Sequence, residues 1–150
     1  MIQKATIKDT NLLTNIALLS KAHWGYSDEL IESWRSDLTV TPKMIKSLFA
    51  YKFIQNNKIT GFYILNQPIV NNIELEMLFV FPEFIGKGIG KKLLLHAFTK
   101  ALNLNANELT LLADPNAVAF YESQGFIIID KKESIIPNRF LPIMQKDLTV

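Results

Sequence analysis

Three of the chain's six glycines fall within five positions, in Phe84-Ile85-Gly86-Lys87-Gly88-Ile89-Gly90-Lys91-Lys92. A strand-like run from Ile73 to Phe81 precedes them, and an amphipathic helical run from Lys91 to Asn103 follows. Glycine at such a junction lets backbone N–H groups converge on an anion, because no Cβ blocks the approach and φ > 0 is tolerated. The helix N-terminus adds partial positive charge, and Lys87, Lys91 and Lys92 add full charges. The chemistry implied is the binding of a phosphate-bearing ligand.

Motif spacing narrows the ligand. A nucleotide-triphosphate loop needs Gly, four residues, then Gly-Lys-Ser/Thr. Taking Gly90-Lys91 as the Gly-Lys pair puts Ile85 at the first glycine and Lys92 at the Mg²⁺-binding hydroxyl, so two positions fail. A dinucleotide fingerprint, Gly-x-Gly-x-x-Gly, needs a third glycine where Lys91 stands. A Gly-x-Gly-x-Gly turn over a diphosphate remains. A second block, Asp114-Pro115-Asn116-Ala117-Val118-Ala119-Phe120-Tyr121-Glu122-Ser123-Gln124-Gly125-Phe126, follows, with Asn116 28 residues after Gly88.

Together the two blocks resemble the GCN5-related N-acetyltransferase (GNAT) family. Its acyl-CoA loop reads Arg/Gln-x-x-Gly-x-Gly/Ala, and its later signature reads Asn-x-x-Ala-x-x-Phe-Tyr-x-x-x-Gly-Phe. The resemblance covers most of the chain and is most specific from Ile73 to Phe126. It implies acetyl-CoA as co-substrate, held by Gly86, Lys87, Gly88, Ile89, Gly90 and Lys91, with Asn116 capping its helix or hydrogen-bonding CoA. The loop departs from the family at Ile85, which stands where Arg or Gln is usual. One side-chain donor to the pyrophosphate is missing, and Lys87 or Lys91 is expected to supply charge instead.

Acetylating an amine requires a base for the ammonium proton, a donor for the thioester oxygen and a proton for the leaving thiolate. Glu74, Glu76, Leu78 and Val80 alternate onto one face of the strand, opposite Ile73, Leu75, Met77 and Phe79. Two carboxylates so placed repel each other, which suits one of them to take up a proton. The resemblance implies that Glu74 or Glu76 is the base, and Glu76 is favoured as the one nearer the splayed strand end. It also implies that the N–H of Phe79 or Val80 holds the thioester carbonyl, and that the Tyr121 hydroxyl protonates the thiolate. No acyl-enzyme is expected, since the chain has no cysteine and no Ser-His-Asp arrangement.

On the acceptor side, His23-Trp24-Gly25-Tyr26 lies between the first two helices, which form the acceptor wall in GNAT enzymes. His23, Trp24 and Tyr26 suit a pocket for a small amine. Arg139, between Pro137 and Pro142, is suited to clamp a substrate carboxylate. His96, in mid-helix, reads as structural. A protein or peptide acetyltransferase, and a non-catalytic acyl-CoA-binding module, are the alternatives to a small-molecule enzyme.

Composition bounds the rest. The 150 residues predict one domain, 1–150, with a substantial core. Net charge is +2, too slight to point to nucleic acid or a membrane surface. Absence of cysteine excludes disulfides and thiolate metal sites, and the two histidines lack metal-ligand spacing, so no metal is expected. No apolar run approaches the ~20 residues of a membrane span, and the N-terminus lacks a signal-peptide pattern. A soluble cytoplasmic protein is the default expectation.

Periodicity and turn residues predict the elements. They are a strand over Ile2–Ile7, a helix capped at Asp9 or Thr10 and ending near Gly25, a helix over Asp28–Asp37, and one opening at Thr41-Pro42. Strands over Ala50–Gln55 and Lys58–Asn66 turn at Asn56-Asn57. After the glycine loop and its helix come a strand over Glu108–Ala113, a helix over Asn116–Ser123, and strands over Phe126–Asp130 and Leu141–Leu148. The expected fold is α/β, the GNAT fold, with a mixed, mostly antiparallel central sheet flanked by helices. The last strand, flanked by Leu141, Ile143 and Met144, is expected to be the edge through which a homodimer would form.

Overall fold

The computed structural model describes residues 1–134 and 136–149. Its first strand, β1 (Ile2–Lys4), is shorter than expected, because the chain leaves the sheet to start a helix. At that start Asp9 accepts a hydrogen bond from the Thr6 N–H at 2.7 Å. Asp9 therefore sits inside a capping box opened by Thr6, and is not itself the side-chain cap of α1 (Thr10–Ala22). The expected helix over Asp28–Asp37 breaks at Trp34 into α2 (Asp28–Ser33), capped by the Ser27 hydroxyl, and α3 (Arg35–Leu38). The Thr41 hydroxyl caps α4 (Pro42–Ser47), with proline in its first turn as the sequence requires.

Next come β2 (Phe49–Gln55) and β3 (Lys58–Leu65), antiparallel to each other. Asn56 and Asn57 between them take φ of 53° and 63°, the left-handed pair that a type I′ hairpin turn demands. The chain continues through β4 (Asn72–Val80), α5 (Ile89–Asn103), β5 (Glu108–Leu112), α6 (Val118–Ser123), β6 (Ile127–Glu133) and β7 (Phe140–Asp147). The strands hydrogen-bond in the order β1-β2-β3-β4-β5-β7-β6, mixed and mostly antiparallel as expected.

The chain forms two compact units. The first comprises Met1–Leu65 and Met77–Ala97. Its core gathers Leu13, Ile16 and Ala17 of α1, Leu38, Val40 and Ile45, and the sheet residues Ala50, Phe62, Ile64 and Met77. These positions recur at helical spacing in α1, so one face of that helix is apolar, while β3 is buried on both faces, with Tyr63 and Leu65 opposite Phe62 and Ile64. Burying each Leu, Ile, Val, Phe or Met side chain among them stabilises by roughly 1.5–3 kcal/mol before entropy is counted.

The second unit comprises Asn66–Glu76 and the chain from Phe98 onward. In it the start of β4 runs parallel to β5, with Ile73 opposite Leu109 and Glu74 opposite Thr110. β7 pairs antiparallel with β5 on one side and with β6 on the other. The last strand is therefore not an edge, which corrects the sequence expectation: residues 127–133 return to pair outside it, and β6 takes the outer position. All seven residues of β6 are exposed, among them Ile127, Ile128 and Ile129.

Candidate active site

The glycine loop lies in the first unit. After β4 a short 3-10 turn, Pro82–Phe84, ends at Ile85, which has extended backbone and is partly exposed. Gly86 and Gly88 then adopt φ of 86° and 81°. Side chains rarely adopt such backbone, and this explains glycine at both positions. The Gly88 carbonyl accepts the Lys92 N–H at 3.1 Å, closing the first turn of α5. Gly88 thus stands at the helix cap with no side chain to satisfy the first N–H groups, which a helix leaves without intrahelical partners. Gly90 sits inside the first turn and Ile89 is buried. This cradle of N–H groups, with Lys87, Lys91 and Lys92 nearby in sequence, fits a diphosphate, and those are the residues that would hold acetyl-CoA.

Just before the loop lies the segment containing Phe79 and Val80. A Cβ at Gly61 of β3 would approach the Phe79 carbonyl oxygen to 2.9 Å. The Phe81 N–H donates to the Thr60 carbonyl at 2.9 Å. Gly61 therefore lets β3 press against the end of β4, a requirement that the sequence did not reveal.

In the second unit Glu74 and Glu76 are exposed on one face of β4, while Ile73 and Leu75 are buried. The Asn66 side-chain amide donates to both carboxylates, 2.7 Å to Glu74 and 2.9 Å to Glu76. One neutral donor spans two like charges and fixes their spacing. Asn66 was not recognised from sequence, because nothing local marks a residue eight to ten positions upstream as their partner.

Tyr121, on α6, is buried, its ring edge-on to Phe120 at 5.2 Å and to Phe126 at 5.5 Å. Burial pushes its phenol well above the ordinary value for tyrosine. No hydrogen-bond partner of its hydroxyl is found among the described residues. The packed ring therefore carries a phenol that stays protonated at neutral pH.

The later signature begins close by. Counted back from the Phe-Tyr pair, the first position of the later signature falls on Asp114 and not on Asn116. Asp114 is also the cap of this segment: its carboxylate accepts the Asn116 N–H at 2.9 Å and the Asn116 side-chain amide at 3.0 Å. The other Asp114 oxygen lies 3.5 Å from the Arg139 guanidinium, both side chains being largely shielded. Asn116 and Arg139, assigned separately from sequence to cofactor and substrate, are thus brought together on one carboxylate.

The aromatic stretch is in the first unit. His23 and Trp24 are exposed at the end of α1, rings 5.6 Å apart, and Gly25 with φ 90° ends the helix. Tyr26 packs edge-on to Trp34 at 4.9 Å, and the Lys21 ammonium lies over both rings. Elsewhere in this unit the Tyr63 hydroxyl lies 2.7 Å from Nδ1 of His96. Burial, then the neighbouring Tyr51, pushes the Tyr63 phenol up, so it stays a donor. His96 is structural in this sense: it satisfies a buried phenol. Among the described residues no group of three or more His, Cys, Asp or Glu is placed to hold a metal ion, and no helix is long and apolar enough to cross a membrane.

With this geometry in hand, known proteins supply the comparison. The profile of the Acetyltransferase (GNAT) domain matches residues 25–140. The chain is 32% identical over 78 residues to the uncharacterized N-acetyltransferase ycf52 of Gracilaria tenuistipitata var. liui, covering 50% of this chain and 43% of that one. It thus spans less than half the length of that curated relative. Among solved structures it is similar to the PaiA N-acetyltransferase of Thermoplasma acidophilum in complex with coenzyme A, at 28% identity and a TM-score of 0.85, covering 98% of both chains. It also shares its fold, at 21% identity and a TM-score of 0.82, with a GCN5-related N-acetyltransferase of Rhodopseudomonas palustris, covering 98% and 94% of the two chains.

Proposed function

The chain belongs to the GNAT acetyltransferase family, and from that premise we propose that it transfers the acetyl group of acetyl-CoA directly to an amine acceptor. The observation that carries this reading is the glycine cradle: two left-handed glycines open α5 without a side-chain cap, which exposes N–H groups suited to a pyrophosphate. That the similar Thermoplasma protein was solved with coenzyme A supports the same ligand. When bound, acetyl-CoA supplies an activated thioester.

The chain's own residues do the remaining work. In the first unit, Gly86 to Lys91 hold the phosphates and the N–H of Phe79 or Val80 holds the carbonyl oxygen as it gains charge. In the second unit, Glu76 or Glu74 takes the proton of the acceptor ammonium, with Asn66 fixing where both carboxylates point. Tyr121 gives its proton to the departing sulfur, and Asn116 contributes to cofactor binding. The acceptor is a small amine, received by His23, Trp24 and Tyr26, with Arg139 toward an acceptor carboxylate.

A panel of small amines and short peptides, scored by thiol release and by the mass of the product, tests the proposal. Acetylation of peptides alone would replace the small-molecule reading. Binding of acetyl-CoA with no transfer to either class would leave a non-catalytic binding module.

A further inference from the structure

Two ammonium groups share one ring beside the glycine loop. Lys58, the first residue of β3, holds its Nζ 5.6 Å from the centre of the Phe84 ring, and Lys87 holds its Nζ 5.4 Å from the same centre. Phe84 immediately precedes Ile85, the position where a side-chain donor to the pyrophosphate is missing. Lys58 also lies 6.0 Å from the Phe81 ring and pairs with Glu83 at 3.2 Å. Both partners of that pair are more than half exposed, so the pairing is weak and exchangeable. Two lysines and one carboxylate leave a net positive charge at this ring, which an aromatic face stabilises without neutralising.

We infer that Lys58 is a pyrophosphate-binding residue of the cofactor loop, brought from the β2–β3 hairpin to supply the charge that Ile85 does not. Its long stem reaches Glu83 and Phe84, just ahead of the loop, from another element, so no motif within the loop reveals it. The Phe84 ring orients the ammonium, and Glu83 holds it until a stronger anion is present. The phosphate attracts it more than a solvated carboxylate does, because two negative charges converge there with backbone donors. This inference rests on the reading of the loop as a CoA site.

Calorimetric titration of CoA and dephospho-CoA into the whole chain tests it. Lys58→Gln is expected to weaken both ligands roughly fivefold at low salt and to flatten the salt dependence of binding. Glu83→Gln, which frees Lys58 and removes a negative charge, is expected to tighten both about twofold. In an Ile85→Arg background the loss from Lys58→Gln is expected to shrink, because the restored donor takes over. Should Lys58→Gln fold poorly, the Glu83→Gln arm still decides, since its expected sign is a gain. Unchanged affinity in Lys58→Gln, a loss confined to CoA and absent with dephospho-CoA, or weaker binding in Glu83→Gln would each overturn the role of Lys58 while leaving the CoA loop intact. Failure of the wild-type chain to bind CoA at all would instead remove the reading beneath it.

Discussion

Tyr121 packs edge-on against Phe126, ring centres 5.5 Å apart and planes at 70°. This contact holds the phenol ring and leaves its hydroxyl uncommitted, so ring and hydroxyl have separable jobs. Tyr121→Phe keeps the ring and removes only the proton donor. It is expected to lower kcat about 100-fold, with acetyl-CoA affinity and melting temperature unchanged. Wild-type turnover in this variant would remove Tyr121 from the chemistry.

The Asn66 amide ties Glu74 and Glu76 together, and this makes the two glutamates separable by experiment. Glu76→Gln is expected to lower kcat/KM about 100-fold, and Glu74→Gln by less than tenfold. Asn66→Ala is expected to give an intermediate loss, since both carboxylates remain but are no longer oriented. Steady-state kinetics with one acceptor distinguishes the three. A larger loss in Glu74→Gln than in Glu76→Gln would exchange their roles.

Stability depends on an ion pair far from this chemistry in sequence. Lys52 lies 2.8 Å from the Asp9 carboxylate, both largely shielded from solvent. Burial pushes the Asp9 carboxyl up, but hydrogen bonds from Lys52 and Thr6 outweigh it and hold it below its ordinary value of 3.8. A lowered folded-state value means the stabilisation is present above pH 3.8 and is lost as pH falls through that folded value. Asp9→Asn is therefore expected to cost about 3 kcal/mol at neutral pH, with the gap to wild type closing in acid. Denaturant titrations at several pH values check this, and a gap independent of pH would contradict it.

Two backbone positions make opposite predictions. Val70 adopts φ 56° in an exposed turn, costly for a β-branched residue. Val70→Asn is expected to stabilise by roughly 0.5–1 kcal/mol. Gly61→Ala places a methyl against the Phe79 carbonyl oxygen, and is expected to destabilise by about 1–3 kcal/mol and to raise the KM for acetyl-CoA. Thermal melts with and without CoA separate the two effects.

Much of this was legible locally. Asn56-Asn57, Pro42 and the glycine loop each carry their own backbone instructions, and the structure follows them. What escaped depends on partners distant in sequence. The edge role expected of β7 passed to β6 because strand order is set by pairing, which no single strand encodes. Asp9 looked like a helix cap because its type and position fit, but Thr6 and Lys52 compete for the same carboxylate. Asp114 could have been found by counting the later signature back from Tyr121. Gly61, Asn66 and Lys58 carried no local signal, since each acts on a residue from another segment.

Direct acetyl transfer from acetyl-CoA to an amine is tested by following thiol release and product mass together in one reaction. At least one amine is expected to drive CoA release far above the amine-free rate, with an acetylated product in equal amount and no acetylated protein. CoA release without acetylated amine, or an acetyl group retained on the chain, would contradict it.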